Sequence, residues 1–485
     1  MTATVIAGGG TAGLALALAL GARGHRVRVL ERGEAPPDGP VVKSAELWRR
    51  PMVPQAAHDH ILNALGVRTL RRHAPAVLDA ALEEGARLLD LTTAAPGAVR
   101  DEDLVTLVCR RSVLDLVLHR AVRALAGVTV SHDTTVAGLR LDGGRVSAVV
   151  TAAGETVPAD LVVDASGRRS AARSWLAAAG LPAPDDRTGP SSLRAFGRFY
   201  RLRDPDGPAP GPLNRGDAAG GIWGHYSAVA HPADNDVFAI TLGTLPNDHG
   251  TAALSDPGAF TAACRISPYL AAWVDEDAVE PLGPVRVTGM PPNILRGAPP
   301  LPGLLQVGDA TCVTDPMFGR GLSLALTHAF RLAELIDQHP YADHELSDAA
   351  ADLTDQLLRP WFEQGSHDSW SRIERWRAET GAAPSSPASP TPPVSPVSAP
   401  LWAAAIAAAA TDPVVWRAVT RARTSLTTPA RLVADESFLA RIRQTPEASE
   451  ALAPAPARAP APPPEATPPT RAGLREALTA ALKGA

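Results

Sequence analysis

A chain of 485 residues with 45% hydrophobic and 4% aromatic content is long enough for two or three packed units, and its net charge of −5 with no long basic run argues against a nucleic-acid partner. Cys109, Cys264 and Cys312 lie far apart and form no CxxC, so neither a disulfide framework nor a zinc knuckle is expected, no metal is indicated, and a reducing cytoplasmic setting fits. The apolar run 14–20 lacks the basic start and cleavage site of a signal peptide, and 402–410 is too short to span a bilayer.

In chain order, residues 3–7 (ATVIA) read as a short strand ending in three glycines, 12–23 as a helix and 26–31 (RVRVLE) as a second strand. This run of about 30 residues has the size of one βαβ half. Residues 111–126 place Leu114, Leu118, Ala121 and Leu125 at helical spacing. Strands are expected at 127–131, 136–141 and 145–150, with a Gly143-Gly144 turn between the last two. Residues 160–164 and 303–307 read as two more buried strands. Between 190 and 290, the period-two run 237–243 and the aromatics Trp223, Tyr226 and Phe238 predict a sheet covering a pocket. A long helix is expected over 319–337. The Pro/Ser/Ala-rich stretches 381–399 and 452–469 read as linkers, with helices at 413–444 and 470–482.

The chemistry starts at GGGTAG. Gly8 allows a tight turn, Gly10 lets the backbone approach a pyrophosphate, and Gly13 lets the helix pack close to the strand. Glu31 ends the next strand, 23 residues after Gly8, placed to accept hydrogen bonds from an adenosine ribose. A ribose acid favours an unphosphorylated adenosine, which leaves NAD or FAD.

Residues 303–321, GLLQVGDATCVTDPMFGRG, decide between them. A strand runs into Gly308-Asp309, and Pro316 and Gly319-x-Gly321 open the long helix. This resembles the second flavin fingerprint of the FAD-dependent monooxygenase superfamily, the p-hydroxybenzoate hydroxylase-like fold. The resemblance implies that Asp309 binds the ribityl chain and that the helix aims its N-terminus at the flavin pyrimidine. A helix N-terminus stabilises the negative charge of reduced flavin near N1. Residues 160–167 (DLVVDASG), followed by Arg168, Arg169 and Ser170, look like the family's Asp-x-x-Gly motif, with DASG where many members have GADG. Asp164 and Gly167 would then border the FAD diphosphate and the nicotinamide path. Arg111-x-x-Leu114 resembles the family's arginine at a helix start that contacts FAD.

Residues 49–62, RRPMVPQAAHDHIL, resemble the Arg–Val-Pro-Gln–His segment of actinobacterial FAD-dependent oxidoreductases, a group that includes polyether epoxidases; residues 281–296 resemble the same group. This implies cofactor contacts from Arg50 and Gln55, with Arg32 beside Glu31. It also places His58 and His60 near the isoalloxazine, where they orient substrate, donate a proton or only bond backbone. Arg320 stands where many members carry Gln. It either sits beside the flavin pyrimidine, favouring anionic reduced flavin, or turns outward to solvent.

The fold class expected is α/β: a Rossmann-type, GR2-like FAD-binding domain, a β-sheet substrate domain and a helical C-terminal region. The FAD-binding domain is discontinuous, 1–189 and 291–340 with part of 50–100 near the flavin; 190–290 form the substrate sheet and 341–485 the helical region. No second GxGxxG occurs, so hydride must come from transient NAD(P)H, from substrate or from a possible reductase partner. Lys43 and Lys483 are the only lysines and no WxWxIP occurs, which argues against a flavin halogenase. HExxH, P-loop and GxSxG motifs are absent too. The leading expectation is an FAD monooxygenase that uses molecular oxygen through a flavin C4a-hydroperoxide, hydroxylating or epoxidising a small hydrophobic intermediate of secondary metabolism. The alternatives are an FAD-dependent dehydrogenase and a non-redox cyclase with FAD as structural support.

Overall fold

The computed structural model describes residues 3–53, 56, 58, 60–191, 193–289, 291–380, 397–445 and 469–483. Its first organising element is a five-stranded parallel sheet ordered Leu304–Gln306, Leu161–Asp164, Ala3–Ala7, Arg26–Leu30, Val128–Ser131. The central strand is apolar along nearly its whole length because both of its faces are covered. One face carries the helices Thr11–Ala22, Arg111–Arg123 and Gly321–Gln338 around Ile6, Leu14, Leu16 and Leu20, all fully buried. Each such leucine contributes roughly 1.5–3 kcal/mol by leaving water. The other face carries an antiparallel meander, Val136–Asp142, Arg145–Thr151 and Thr156–Pro158, with Trp175 sealing the layer. The meander's third strand is additional to the two expected. This is the Rossmann-type architecture anticipated from the sequence.

A second sheet is antiparallel throughout, ordered Ala219–Ile222, Ser227–Pro232, Val237–Thr244, Arg194–Leu202, Val279–Gly289. Side chains alternate between its faces. Phe196, Tyr200, Phe238, Ile240 and Leu242 pack backward against the helices Pro257–Arg265 and Arg471–Lys483. Trp223 and Tyr226 lie in the same rear core. The aromatics expected to cover a pocket therefore fill the back of the sheet, because they follow its rear register, and they carry no information about a ligand. The opposite face presents Ala195, Gly197, Ala239, Thr241 and Gly243.

The C-terminal region is helical. Helices His344–Leu357 and Arg359–Thr380 follow the long helix. Helices Ala399–Ala409, Pro413–Arg423, Pro429–Val433 and Glu436–Gln444 share a small core of their own. Of the expected linkers, 381–396 and 452–468 lie outside the described residues. Residues 397–399 are not linker: the Ser398 side chain caps the helix starting at Ala399, accepting from Leu401 N. No described helix is long and apolar enough to cross a membrane.

Candidate functional site

Three loops leave the carboxyl end of the parallel sheet side by side, the edge where open α/β sheets bind ligands. The first is Gly8–Gly13. Gly8 has φ +122°, and a Cβ there would lie 2.4 Å from Ala165 O in the neighbouring loop. A Cβ on Gly13 would lie 2.0 Å from Gly8 O, so helix and strand touch at backbone distance. Gly10 differs: a Cβ there would meet no atom of the described residues within 4 Å. It is the N-cap of helix Thr11–Ala22 and supplies no side-chain cap, so open space faces an uncapped helix end. Glu31 closes the turn, accepting from Gly9 N at 2.5 Å and Gly33 N at 2.7 Å. Arg32 is exposed.

The second loop follows strand Leu161–Asp164. Asp164 is fully buried and its carboxylate is spent within the loop, accepting from Ser166 N, Ser166 Oγ, Ser170 Oγ and Ala172 N. It shapes the loop from behind, while Gly167 has open space beside its Cα. The third loop carries Gly308 and Asp309. Among the described residues nothing donates to the Asp309 carboxylate. Burial raises its pKa against the pull of Arg111, Arg168 and Arg296. Arg296 ties the second and third loops together, donating to Asp309 O at 2.9 Å, Ala310 O at 3.3 Å and Arg168 O at 2.6 Å. His328, buried and with its pKa pushed down to about 4, accepts from Gly308 N at 3.3 Å.

Arg50 and Arg111 meet at one residue that sequence reasoning missed. Asp115 is fully buried and pairs with Arg50, with Arg111 Nε at 3.3 Å and with the Thr11 hydroxyl at the first helix's start. Burial alone would raise the Asp115 pKa, but the two guanidiniums and the hydroxyl hold it below its ordinary value. Asp115 stands four residues after Arg111 on a helix with an apolar face, and that i,i+4 pairing was the available signal.

Helix Arg359–Thr380 packs against the segment that follows Asp309. Asp315, between Asp309 and Pro316, caps its own turn at Met317 N and reaches this helix. It accepts from Ser369 Oγ and Arg372 Nη2, both at 2.7 Å. Gly319 has φ +60° and Arg320 precedes the helix Gly321–Gln338 without capping it by side chain. Arg320 does not turn outward as one alternative held. It is 5% exposed, with its guanidinium 4.6 Å from the Phe318 ring and 4.9 Å from the Trp361 ring. His58 is buried against the sheet's open face, so close to Gly197 that a Cβ there would lie 2.5 Å from Nδ1. His60 Nδ1 lies 3.0 Å from His58 O, and Ile61 packs beside Gly319. Gln55 lies outside the described residues. The structure thus brings Gly8, Gly10, Gly13, Glu31, Arg50 and Arg111 to one end of the cleft. Gly167, Gly308 and Asp309 lie on the neighbouring loops, His58 packs against Gly197 of the antiparallel sheet, and Arg320 lies apart, between Phe318 and Trp361.

The donor set fits FAD on this structure's own terms: a glycine turn against a helix start, a half-buried carboxylate with no donor among the described residues to take hydroxyl groups, and two helix starts without a side-chain cap for negative charge. Comparison with known proteins agrees. Residues 1–190 match the FAD binding domain family. A kynurenine 3-monooxygenase of Salinispora tropica is 28% identical over 360 residues, covering 69% of this chain and 73% of that protein. Among solved structures, PqsL of Pseudomonas aeruginosa, described as a probable FAD-dependent monooxygenase, matches with TM-score 0.57 at 19% identity, covering 78% of this chain and 98% of that one. The 2-methyl-3-hydroxypyridine-5-carboxylic acid oxygenase matches with TM-score 0.56 at 17% identity over 77% and 92% of the chains. The Diels-Alderase PyrE3 matches with TM-score 0.54 at 19% identity over 78% and 74%.

Proposed function

Because the chain belongs to the FAD-dependent monooxygenase superfamily, with the p-hydroxybenzoate hydroxylase-like fold, we propose that it inserts one oxygen atom into a small organic substrate, by hydroxylation or epoxidation, with NAD(P)H as reductant. The observation that carries this reading is the set of three loops at the carboxyl edge of the parallel sheet, with the Gly8–Gly13 turn against a helix start and the Asp309 carboxylate free of donors among the described residues. Beside these loops His58 is buried against Gly197 of the antiparallel sheet. When bound, the flavin supplies the oxygen activation. Glu31 would accept from ribose hydroxyls with its remaining lone pairs, and Asp309 would accept from the ribityl chain. The N-terminus of helix Gly321–Gln338, without a side-chain cap, would offer its backbone N–H groups to negative charge on the bound group. Asp115 fixes Arg50 and Arg111 beside the first helix start. His58 and His60 line the substrate side, where His58 orients the substrate and His60 holds or passes a proton.

Anaerobic and aerobic turnover test this. Purified holoenzyme, NAD(P)H, labelled oxygen and a panel of small aromatic and polycyclic compounds should give NAD(P)H consumption and a product heavier by one labelled oxygen. Flavin reduction by a compound alone, without NAD(P)H, would instead establish a dehydrogenase. Since the fold also carries the Diels-Alderase PyrE3, cyclisation with the flavin untouched is the other outcome that would overturn it.

A further inference from the structure

Arg296 follows the strand Asn293–Leu295, which pairs antiparallel with Arg187–Gly189 on one side and Cys312–Val313 on the other. That register sets Arg296 across from the turn after Asp309, and its backbone N donates to Thr311 O at 2.9 Å. The chain beyond it is hemmed in: a Cβ on Gly297 would lie 2.6 Å from Pro184 Cβ and 3.0 Å from Asp185 O. The Arg296 side chain is 9% exposed and sends its guanidinium into backbone rather than to a carboxylate. Nη1 donates to Asp309 O at 2.9 Å and to Ala310 O at 3.3 Å, and Nη2 donates to Arg168 O at 2.6 Å. The ion-pair contact it makes, with Asp186, is 4.0 Å long.

The loops it bridges leave two neighbouring parallel strands, Leu161–Asp164 and Leu304–Gln306. Among the described residues, the side-chain hydrogen bonds that join these loops come from Arg296 and from Gln306, whose Nε2 donates to Ser170 Oγ at 3.0 Å. Three carbonyl dipoles converging on one point repel unless a cation lies between them, so the guanidinium fixes how far apart the loops stand. The same charge acts on the Asp309 carboxylate. The charged groups facing that carboxylate are Arg111 from helix Arg111–Arg123, Arg168 from the second loop, and Arg296. Two other titratable groups lie close by and stay neutral near pH 7: the Cys312 thiol, pushed up to about 12 by burial, and His328 behind Gly308, pushed down to about 4. Burial drives Asp309 toward its neutral form, and the three arginines oppose it.

We propose that Arg296 is a positioning residue for the flavin cofactor: it sets the spacing of the loops that carry Gly167 and Asp309, and its charge stands behind the Asp309 carboxylate that receives the cofactor's hydroxyls. This assignment rests on FAD binding at these loops and is independent of the monooxygenase reading. Spacing and charge are separable by substitution, since lysine keeps the charge without the fork, glutamine keeps donors without the charge, and methionine keeps neither. The charge has a sign in pH. Hydroxyls that donate to Asp309 bind its ionised form, so FAD affinity falls as the pH drops through the Asp309 pKa of the cofactor-free protein. Without the positive charge of Arg296 that pKa rises further, and the fall begins at a higher pH.

The test is FAD retention by the full-length holoenzyme, read by flavin fluorescence after dilution at a series of pH values. Wild type is compared with Arg296→Lys, Arg296→Gln and Arg296→Met, and far-ultraviolet circular dichroism over the same range separates release of FAD from unfolding. Near pH 7, Arg296→Met should hold FAD about tenfold or more weakly than wild type, the scale of a lost charge-assisted bond. Arg296→Lys and Arg296→Gln should each recover part of that loss. The midpoint of acid release should rise by about half a pH unit or more in Arg296→Gln and Arg296→Met and stay at the wild-type value in Arg296→Lys. The comparison of Arg296→Gln with Arg296→Lys decides the matter even where Arg296→Met does not fold. If the folded variants retain FAD as wild type does, the loops keep their spacing without Arg296 and the assignment falls. If all of them release FAD at the wild-type midpoint, Arg296 is only a structural fastener and the assignment falls as well. No substrate, NAD(P)H or oxygen turnover enters these readouts, so failure of the monooxygenase reading would leave them unchanged, and their failure would leave that reading standing.

Discussion

At the scale of single residues, the site is organised by carboxylates that differ in what they already hold. Among the described residues nothing donates to the Asp309 carboxylate, whereas Glu31 already closes its own turn through Gly9 N and Gly33 N. Asp309→Ala should therefore weaken FAD binding by about 1–3 kcal/mol while leaving the apoprotein's melting temperature nearly unchanged. Glu31→Ala should weaken FAD by a similar amount and also lower that melting temperature. Flavin fluorescence on dilution and scanning calorimetry separate the two; equal melting losses would refute the distinction. Asp115 is a third kind, a fully buried anion between two arginines. Asp115→Ala strands Arg50 and Arg111 beside the first helix and should cost about 3–5 kcal/mol in urea unfolding. A loss below about 1 kcal/mol would mean that the guanidiniums find water instead.

At the scale of elements, the glycines of one turn make opposite predictions. Gly13→Ala forces a Cβ into the Gly8 carbonyl and should impair folding of the apoprotein. Gly10→Ala fills space that is empty without cofactor, so the apoprotein should fold normally and retain less FAD. If both variants lose FAD while melting like wild type, the close packing of helix on strand is not what the glycine at 13 protects. These elements were legible in the sequence because their signals are local. Strand, glycine turn, helix and Glu31 fall within about 30 residues, each with its own period or spacing. The fastenings between elements were not legible. Arg296 reaches Arg168 across 128 positions and Arg372 reaches Asp315 across 57. No pattern within a window reports such a pair. Helix Arg359–Thr380 was hidden for a related reason: its buried face includes Gln364, Ser369 and Arg372, which read as surface residues until their partners are known. The sheet's aromatics were visible but assigned to the wrong face, because period two tells that faces alternate and not which one meets the ligand.

At the scale of the whole molecule, three distant histidines are held neutral by burial: His119, His225 and His328, each with its pKa pushed down to about 4. In the unfolded chain each takes a proton below about pH 6.5; in the native protein each refuses it until about pH 4. Their contribution is complete above pH 6.5 and shrinks as the pH falls toward 4, by up to about 1.4 kcal/mol per pH unit for each histidine. Urea midpoints at successive pH values should fall steeply over that interval, and a flat profile would show that the three are accessible to protons in the native state. The rear of the antiparallel five-stranded sheet has a different kind of dependence. Leu474 and Leu478 complete its core, and Arg471 clasps Asp248 through two contacts of 2.8 and 2.9 Å, although the sheet's final strand ends at Gly289. During synthesis that greasy surface waits for a helix encoded roughly two hundred residues downstream. At ribosomal speeds the wait is roughly 10–40 s, long enough for the nascent sheet to need a chaperone's cover before its own lid arrives.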